Sequence, residues 1–307
     1  MKRIKVILNP MADRGRGGQR QAAIAAHLQA MTPTGAGSVD MVVTERAGHA
    51  VELARMAALD GYDVVAAAGG DGTVHEVVNG LYQAGKAETA LGVIPIGSGN
   101  DFAFANGMAG DVETAVSRLF TGTTKTVDLA HIVDDRGREK VFGNNFGLGF
   151  DAVVVIETEK ITRIHGFLMY LWAVLRTLVL YYDRPQVEVT FDDELVKQHI
   201  LFLAMGVGPR GGGGFLLVPD AKLDDNLIDS CTVNPINRLQ MLWMIPKTIN
   251  GTHTTSRFVT MRRNRRIAIH CTTPMSIHID GEVFAYPRDN VRQVTVTSVP
   301  AVLRVIV

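Results

Sequence analysis

Short apolar runs alternate with longer, helix-forming stretches through the first third of the chain. Ile4 to Leu8, Val39 to Val43, Val64 to Ala68 and Leu91 to Ile96 are compact apolar blocks. Each is closed by Asn, Thr or Gly. Gln19 to Gln29, Ala47 to Leu59, Thr73 to Leu81 and Asp111 to Phe120 have helical composition. Strand blocks with little polar alternation, separated by helices, predict a parallel sheet covered on both faces. Ligands of such sheets sit at the carboxyl ends of the strands.

The pattern changes near Val127. Strand candidates then dominate: His131 to Val133, Val141 to Phe146, Val187 to Phe191, His199 to Met205, Ile267 to Cys271 and Met275 to Ile279. Asp135-Arg136-Gly137 and Asp192-Asp193 are turn signals between such runs. The exception is Phe167 to Tyr182, an apolar run interrupted by Arg176 and shorter than the ~20 residues of a membrane span. It reads as a buried or amphipathic helix, or as the lip of a greasy binding site. Met241 to Ile245 reads as packed helix. The expected fold is therefore α/β: a parallel-sheet domain over residues 1–128, then a mostly antiparallel β domain over 129–294. The last strands, Val291 to Thr297 and Ala301 to Val307, fit either, so residues 295–307 are free to return to the first domain.

A chain of 307 residues suits this two-domain reading. Hydrophobic residues make up 47% and charged ones 20%, against disorder and coiled coil. Lys+Arg and Asp+Glu are both 31, so a dedicated nucleic-acid binder is not expected. Cys231 and Cys271 make no disulfide framework or zinc cluster and read as small buried groups in a reducing compartment. The opening Lys2, Arg3 and Lys5 are followed too soon by Asn9-Pro10 for a secretory signal, so a cytoplasmic location is expected.

Chemistry concentrates at the ends of the N-terminal strands. Ala67-Ala68-Gly69-Gly70-Asp71-Gly72-Thr73-Val74-His75-Glu76 carries a strand through a glycine turn into a helix. Glycines let phosphate oxygens approach backbone N–H groups, and the helix start adds unpaired donors. Thr73 suits a helix cap or a phosphate contact, and Asp71 a magnesium ion. A plain strand–helix turn has the same look. Three further points share that edge: Gly97-Ser98-Gly99-Asn100-Asp101, the loop from Asn9-Pro10 to Gly18 with its arginines, and Thr44. Together they outline one nucleotide cleft.

The pairing of Gly69-Gly70-Asp71-Gly72-Thr73 with Pro95-Ile96-Gly97-Ser98-Gly99-Asn100-Asp101-Phe102 resembles the diacylglycerol kinase catalytic family, in its bacterial soluble lipid-kinase branch. The same superfamily includes NAD kinases, so the first domain is expected to be the nucleotide-binding one. Asn145 to Ala152 and the glycine run Gly211 to Gly214 are similar to later family segments, so the resemblance spans nearly the whole chain. It implies ATP as phosphoryl donor, held by Asn9, Pro10, Thr44, Gly69 to Glu76 (with Val74 and His75), Gly97 and Ser98. It implies a lipid alcohol as acceptor, diacylglycerol by default, entering between the domains. Ile277-His278-Ile279-Asp280-Gly281-Glu282 is similar to the family's Asp-Gly-Glu element, which implies Glu282 as the base and Asp280 as its partner or a metal contact. The segment Pro219 to Asp229 is similar to a family magnesium loop, which assigns a structural Mg2+ to Asp225 and the carbonyls of Lys222 and Leu227.

The sequence departs from the family at four points. His75 stands where Asn is usual, Asp13 and Asn226 where Gly is common, and Val207-Gly208-Pro209 where a polar stretch is usual. Arg257, Arg262, Arg263, Arg265 and Arg266 form a basic cluster suited to an anionic membrane surface, or to a solvated strand edge. Peripheral membrane association is thus expected, with a homodimer left open. An NAD kinase-like enzyme and a non-catalytic nucleotide- or lipid-binding protein are the competing readings.

Overall fold

The computed structural model describes residues 2–32, 38–108, 110–161 and 166–307. It divides into two compact units, Met1–Asp128 with Ala301–Val307, and Leu129–Pro300.

In the first unit the apolar blocks become parallel strands. They are β1 (Ile4–Leu8), β2 (Val39–Val43), β3 (Val64–Gly69) and β4 (Ala90–Pro95), in the order β2-β1-β3-β4. Register places Leu8 beside Val43 and Ala68, and Gly69 beside Pro95. All four strands therefore end at one edge. Between them run α1 (Ala12–Gly15), α2 (Gln21–Met31), α3 (His49–Leu59), α4 (Asp71–Ala84), α5 (Asp101–Ala105) and α6 (Val112–Thr121). Every residue of β3 is buried because helices cover both faces, which is why it needs no polar alternation. Helix α6 packs its buried Ala115, Val116 and Leu119 into the same cluster as Ile4, Ala66 and Ile94. The C-terminal residues close this sheet, with Val305 running parallel beside Leu91.

The second unit is built from β5 (Thr124–Asp134, which starts in the first unit), β6 (Glu139–Phe142), β7 (Asn145–Gly149), α7 (Phe150–Glu159), α8 (Gly166–Leu180), β8 (Gln186–Phe191), β9 (Glu194–His199) and β10 (Phe202–Gly206). It continues with β11 (Ile228–Val233), α9 (Arg238–Ile249), β12 (Val259–Asn264), β13 (Arg266–Cys271), β14 (Ile277–Ile279), β15 (Glu282–Ala285) and β16 (Gln293–Ile306). One antiparallel sheet has the order β12-β11-β10-β7-β14-β15. Facing it, β16, β13, β8 and β9 pair antiparallel, and β5 pairs with β6 and β16. Phe146, Leu203 and Ile277 of the first sheet and Val189, Ile269 and Val294 of the second meet in one buried cluster.

One reading of the chain changes here. Val291 to Thr297 and Ala301 to Val307 are one strand, β16, not two. Pro300 does not break it, and Ala301 takes the left-handed backbone at φ +49°. Both cysteines are buried and unpaired, and burial pushes the Cys231 thiol up to about 12, which keeps it neutral and unreactive.

Candidate active site

The nucleotide corner is built from backbone. A Cβ on Gly97 would lie 2.2 Å from the Gly70 Cα, and one on Gly69 would lie 2.2 Å from the Thr73 hydroxyl oxygen. Only glycine allows the β3–α4 and β4–α5 turns to touch. Polar side chains then brace the corner. Asn9 Nδ2 donates to Thr73 Oγ1 at 3.0 Å, and Asn9 Oδ1 accepts from the Met11 N–H at 2.9 Å. Asp71 Oδ1 accepts from the Phe102 N–H at 3.1 Å, tying the two glycine turns together. Asn100 closes the second turn on itself, accepting from the Gly97 N–H at 3.0 Å and donating to the Gly97 carbonyl at 2.9 Å. Helix α4 starts at this corner with no side chain capping it, so its first-turn N–H groups and positive dipole end point to the strand edge.

Asn9, Pro10, Thr44, Gly69 to Thr73, Gly97 and Ser98 all gather at this edge. Thr44 is buried and its N–H donates to the Leu8 carbonyl at 2.8 Å. Ser98 Oγ donates to Asp13 Oδ1 at 2.7 Å, which gives the unusual Asp13 carboxylate a neighbour in the second turn. Three residues of the predicted set sit differently. Val74 and His75 are buried within α4, where His75 contacts Asn79. Glu76 accepts from the Gly48 and Ala50 N–H groups at 2.8 and 3.0 Å, so its carboxylate caps the start of α3. Asn100 belongs to the second glycine motif, but the sequence assigns it no role of its own. Its left-handed backbone, at φ +53°, is tolerated by Asn, and its position after Gly97-Ser98-Gly99 is the signal.

In the second unit Asp280 and Gly281 form a two-residue hairpin between β14 and β15, both with positive φ, +51° and +82°. Asp-Gly is the pair such a turn selects. The Asp280 carboxylate is buried. Oδ1 accepts from the Asn144 and Asn145 N–H groups at 2.9 and 3.0 Å, and Oδ2 from the Gly143 N–H at 3.1 Å. The turn thereby pins the entry to β7 and leaves Glu282 exposed at the first position of β15. Asn144 ties in the altered Val207-Gly208-Pro209 stretch. Its carbonyl accepts from the Val207 and Gly208 N–H groups, both at 3.0 Å. Val207 is fully buried, so an apolar residue there completes the core beneath the turn. Nearby, His278 Nε2 lies 3.1 Å from Asp151 Oδ2, a pair that fits only because residue 147 is glycine.

The acidic loop holds Asp225, with Oδ1 accepting from the Leu227 N–H at 3.1 Å and Oδ2 3.7 Å from Arg263 Nη2. Asn226 takes the left-handed backbone at φ +57° in place of glycine. Arg263 Nε donates to Asp229 Oδ1 at 3.0 Å, whereas Asp229 Oδ2 is buried with no hydrogen-bond partner. Burial raises the Asp229 carboxyl above its ordinary range; Arg263 pulls it down, and the charges of Asp225 and Asp220 push it up again. The loop thus carries more negative charge than one guanidinium neutralises, together with an unsatisfied oxygen, and its donors are all hard oxygens. These features fit a hard cation held by one carboxylate and carbonyls. No cluster of three His, Cys, Asp or Glu side chains forms a metal cage among the described residues.

Two of the five arginines in the basic cluster are committed elsewhere. Arg262 forks onto Glu194 at 2.6 and 3.1 Å, and Arg263 serves the acidic loop. Arg257, Arg265 and Arg266 are exposed.

Comparison with known proteins settles the class. Residues 3–132 match the diacylglycerol kinase catalytic domain, and residues 145–307 match the YegS C-terminal NAD kinase beta sandwich-like domain. The chain belongs to the diacylglycerol kinase family. As a member it is an enzyme, a lipid kinase, and membership implies use of ATP. A diacylglycerol kinase of Bacillus subtilis (strain 168) is 29% identical, with 92% of this chain and 90% of the relative covered. One from Staphylococcus epidermidis (strain ATCC 12228 / FDA PCI 1200) is 31% identical over 78% of this chain and 74% of its own. A crystal structure of a diacylglycerol kinase from Bacillus anthracis str. Sterne shares the fold, with a TM-score of 0.73 at 19% identity, covering 99% of this chain and 96% of that one.

Proposed function

We propose that this lipid kinase transfers the γ-phosphoryl group of ATP to the free hydroxyl of diacylglycerol. The observation that carries the reading is the bare-backbone corner of Gly69, Gly70 and Gly97 at the start of α4. A triphosphate is dense in acceptor oxygens, and this edge offers N–H donors with no Cβ in the way. In the transfer, the bond from the acceptor oxygen to the γ-phosphorus forms as the bond to the β-γ bridging oxygen breaks. The hydroxyl proton passes to Glu282, which is exposed and held on a rigid turn. Asp280 positions that turn through its three amide bonds. A magnesium ion held by Asp225 and the carbonyls of Lys222 and Leu227 would supply charge neutralisation within the acidic loop. With an acceptor that lives in bilayers, the enzyme works at a membrane surface, yet no helix among the described residues is long and apolar enough to cross one.

The test is direct. Purified protein is incubated with labelled ATP, magnesium and a mixed lipid extract, and the labelled product is identified by mass. Phosphatidic acid is the expected product. Glu282→Gln should lower turnover at least about 100-fold with ATP binding unchanged. Labelling of NAD and no lipid would refute the reading, as would a Glu282→Gln variant as active as wild type.

A further inference from the structure

Helices α8 and α9 lie side by side and rest on one apolar cluster. Tyr170, Val174 and Leu178 of α8 enter it with Met241, Met244 and Ile245 of α9. Arg238 locks the pair, its Nε donating to the Leu178 carbonyl at 3.0 Å, and the Tyr182 hydroxyl donates to the Ile236 carbonyl. Their opposite faces are therefore turned outward together. On α8 that face shows Leu168, Trp172 and Val179, 64, 51 and 65% exposed. On α9 it shows Leu239, Leu242 and Trp243, 76, 42 and 57% exposed. Spacings of three, four and seven residues put each set on a single stripe. The chain has two tryptophans, and both stand here. Large apolar side chains grouped on a surface mark a partner's footprint.

Charge selects the partner. Neither helix contains Asp or Glu, and their charged residues are Arg176, Arg238 and Lys247. Arg176 pairs at 2.8 Å with buried Glu157, which also holds Lys160, whereas Arg238 donates to the Leu178 and Val179 carbonyls and lies over the Tyr182 ring, and Lys247 Nζ sits 3.6 Å from the centre of the Trp243 ring. Two copies of this face would bring like charges together. A bilayer with anionic headgroups accommodates greasy stripes, interfacial tryptophans and cations at once.

We propose that the outward face of α8 and α9 is the surface on which this enzyme lies on an anionic membrane, with Trp172 and Trp243 at headgroup depth. The proposal rests on the lipid-kinase reading for its purpose, and the inward face of α8 supplies the connection. A Cβ on Gly281 would lie 3.2 Å from the Tyr170 hydroxyl, so the helix that meets the bilayer also touches the turn bearing Glu282. In the basic cluster near residue 260, Arg262 and Arg263 are already paired with acids, which leaves that cluster less free charge to offer a bilayer.

The full chain is mixed with vesicles of phosphatidylcholine containing about a quarter phosphatidylglycerol. Binding is read by sedimentation and by tryptophan emission, which reports on this face alone. A blue shift, quenching by brominated lipid and sedimentation lowered about tenfold on pure phosphatidylcholine are expected. The triple variant Leu168→Gln, Leu239→Gln, Leu242→Gln keeps both reporters and changes only exposed positions. It should bind at least about tenfold more weakly. Its turnover of vesicle-borne diacylglycerol should fall, while turnover of a short-chain, dispersed diacylglycerol is unchanged. Unshifted emission with normal turnover of vesicle-borne substrate overturns the proposal and leaves the kinase reading intact. So does a dimer in solution that the triple variant splits, since a second copy then covers the face. Vesicle binding with a blue shift, but no phosphorylation of any lipid alcohol, supports the surface and sinks the kinase reading instead.

Discussion

Asp280 offers the sharpest test of how the acceptor turn is held. Its buried carboxylate accepts three backbone N–H groups, those of Gly143, Asn144 and Asn145, at 2.9 to 3.1 Å. Asp280→Ala leaves all three without partners, at about 1–3 kcal/mol each. It also puts alanine at φ +51°, where a Cβ without a local polar partner costs about 1 kcal/mol more. Partial relaxation and entry of water reduce the sum, so a loss of about 4 kcal/mol is expected. Asp280→Asn keeps one acceptor oxygen for Asn144 and Asn145, tolerates the backbone, and sets an NH2 against the Gly143 N–H. It should cost about 2 kcal/mol. Urea unfolding followed by circular dichroism gives both values, and the Asn variant keeps the comparison usable should the Ala variant not fold. The reasoning fails if Asp280→Asn unfolds within about 0.5 kcal/mol of wild type yet loses all activity, because Asp280 would then act on the reaction and not on the turn.

Two further outcomes follow from the geometry. Gly97→Ala drives a methyl to 2.2 Å from the Gly70 Cα, a backbone atom that cannot yield cheaply. Calorimetry should show ATP affinity reduced at least about tenfold, with about 1–3 kcal/mol lost in stability, and an unchanged affinity would contradict the nucleotide corner. Burial holds the His253 imidazole below its ordinary value, against the opposing bond to the Leu217 carbonyl. The unfolded chain takes up that proton near pH 6.5 while the folded one resists, so His253 lowers stability progressively as pH falls below about 6.5 and has no effect above it. Urea midpoints measured on either side of that pH should differ in wild type more than in His253→Gln.

The sequence by itself determined the class of each half. Val64 to Ala68, apolar without alternation, can be satisfied only with cover on both faces, and a glycine turn leading straight into a helix has few structural meanings beside its neighbour at Gly97 to Asp101. Asp280-Gly281 likewise names its own hairpin, because two consecutive positive φ values suit few pairs, Asp-Gly among them. The tertiary structure decided what side chains do once such turns are in place. Nothing in the spacing of Glu76 shows that its carboxylate caps α3, since the partners at Gly48 and Ala50 come from another element. Five arginines near residue 260 read as one basic patch, and only the fold shows that Glu194 and Asp229, from other strands, pair with two of them. The run from Phe167 to Tyr182 reads as buried or amphipathic in the chain. Only the packing of α8 beside α9 settles which residues face the cluster and leaves both tryptophans outside it. Local backbone demands are written in consecutive residues and can be read there. Charge pairing and the choice of exposed face depend on elements far apart in sequence, and exist only after the sheets have formed.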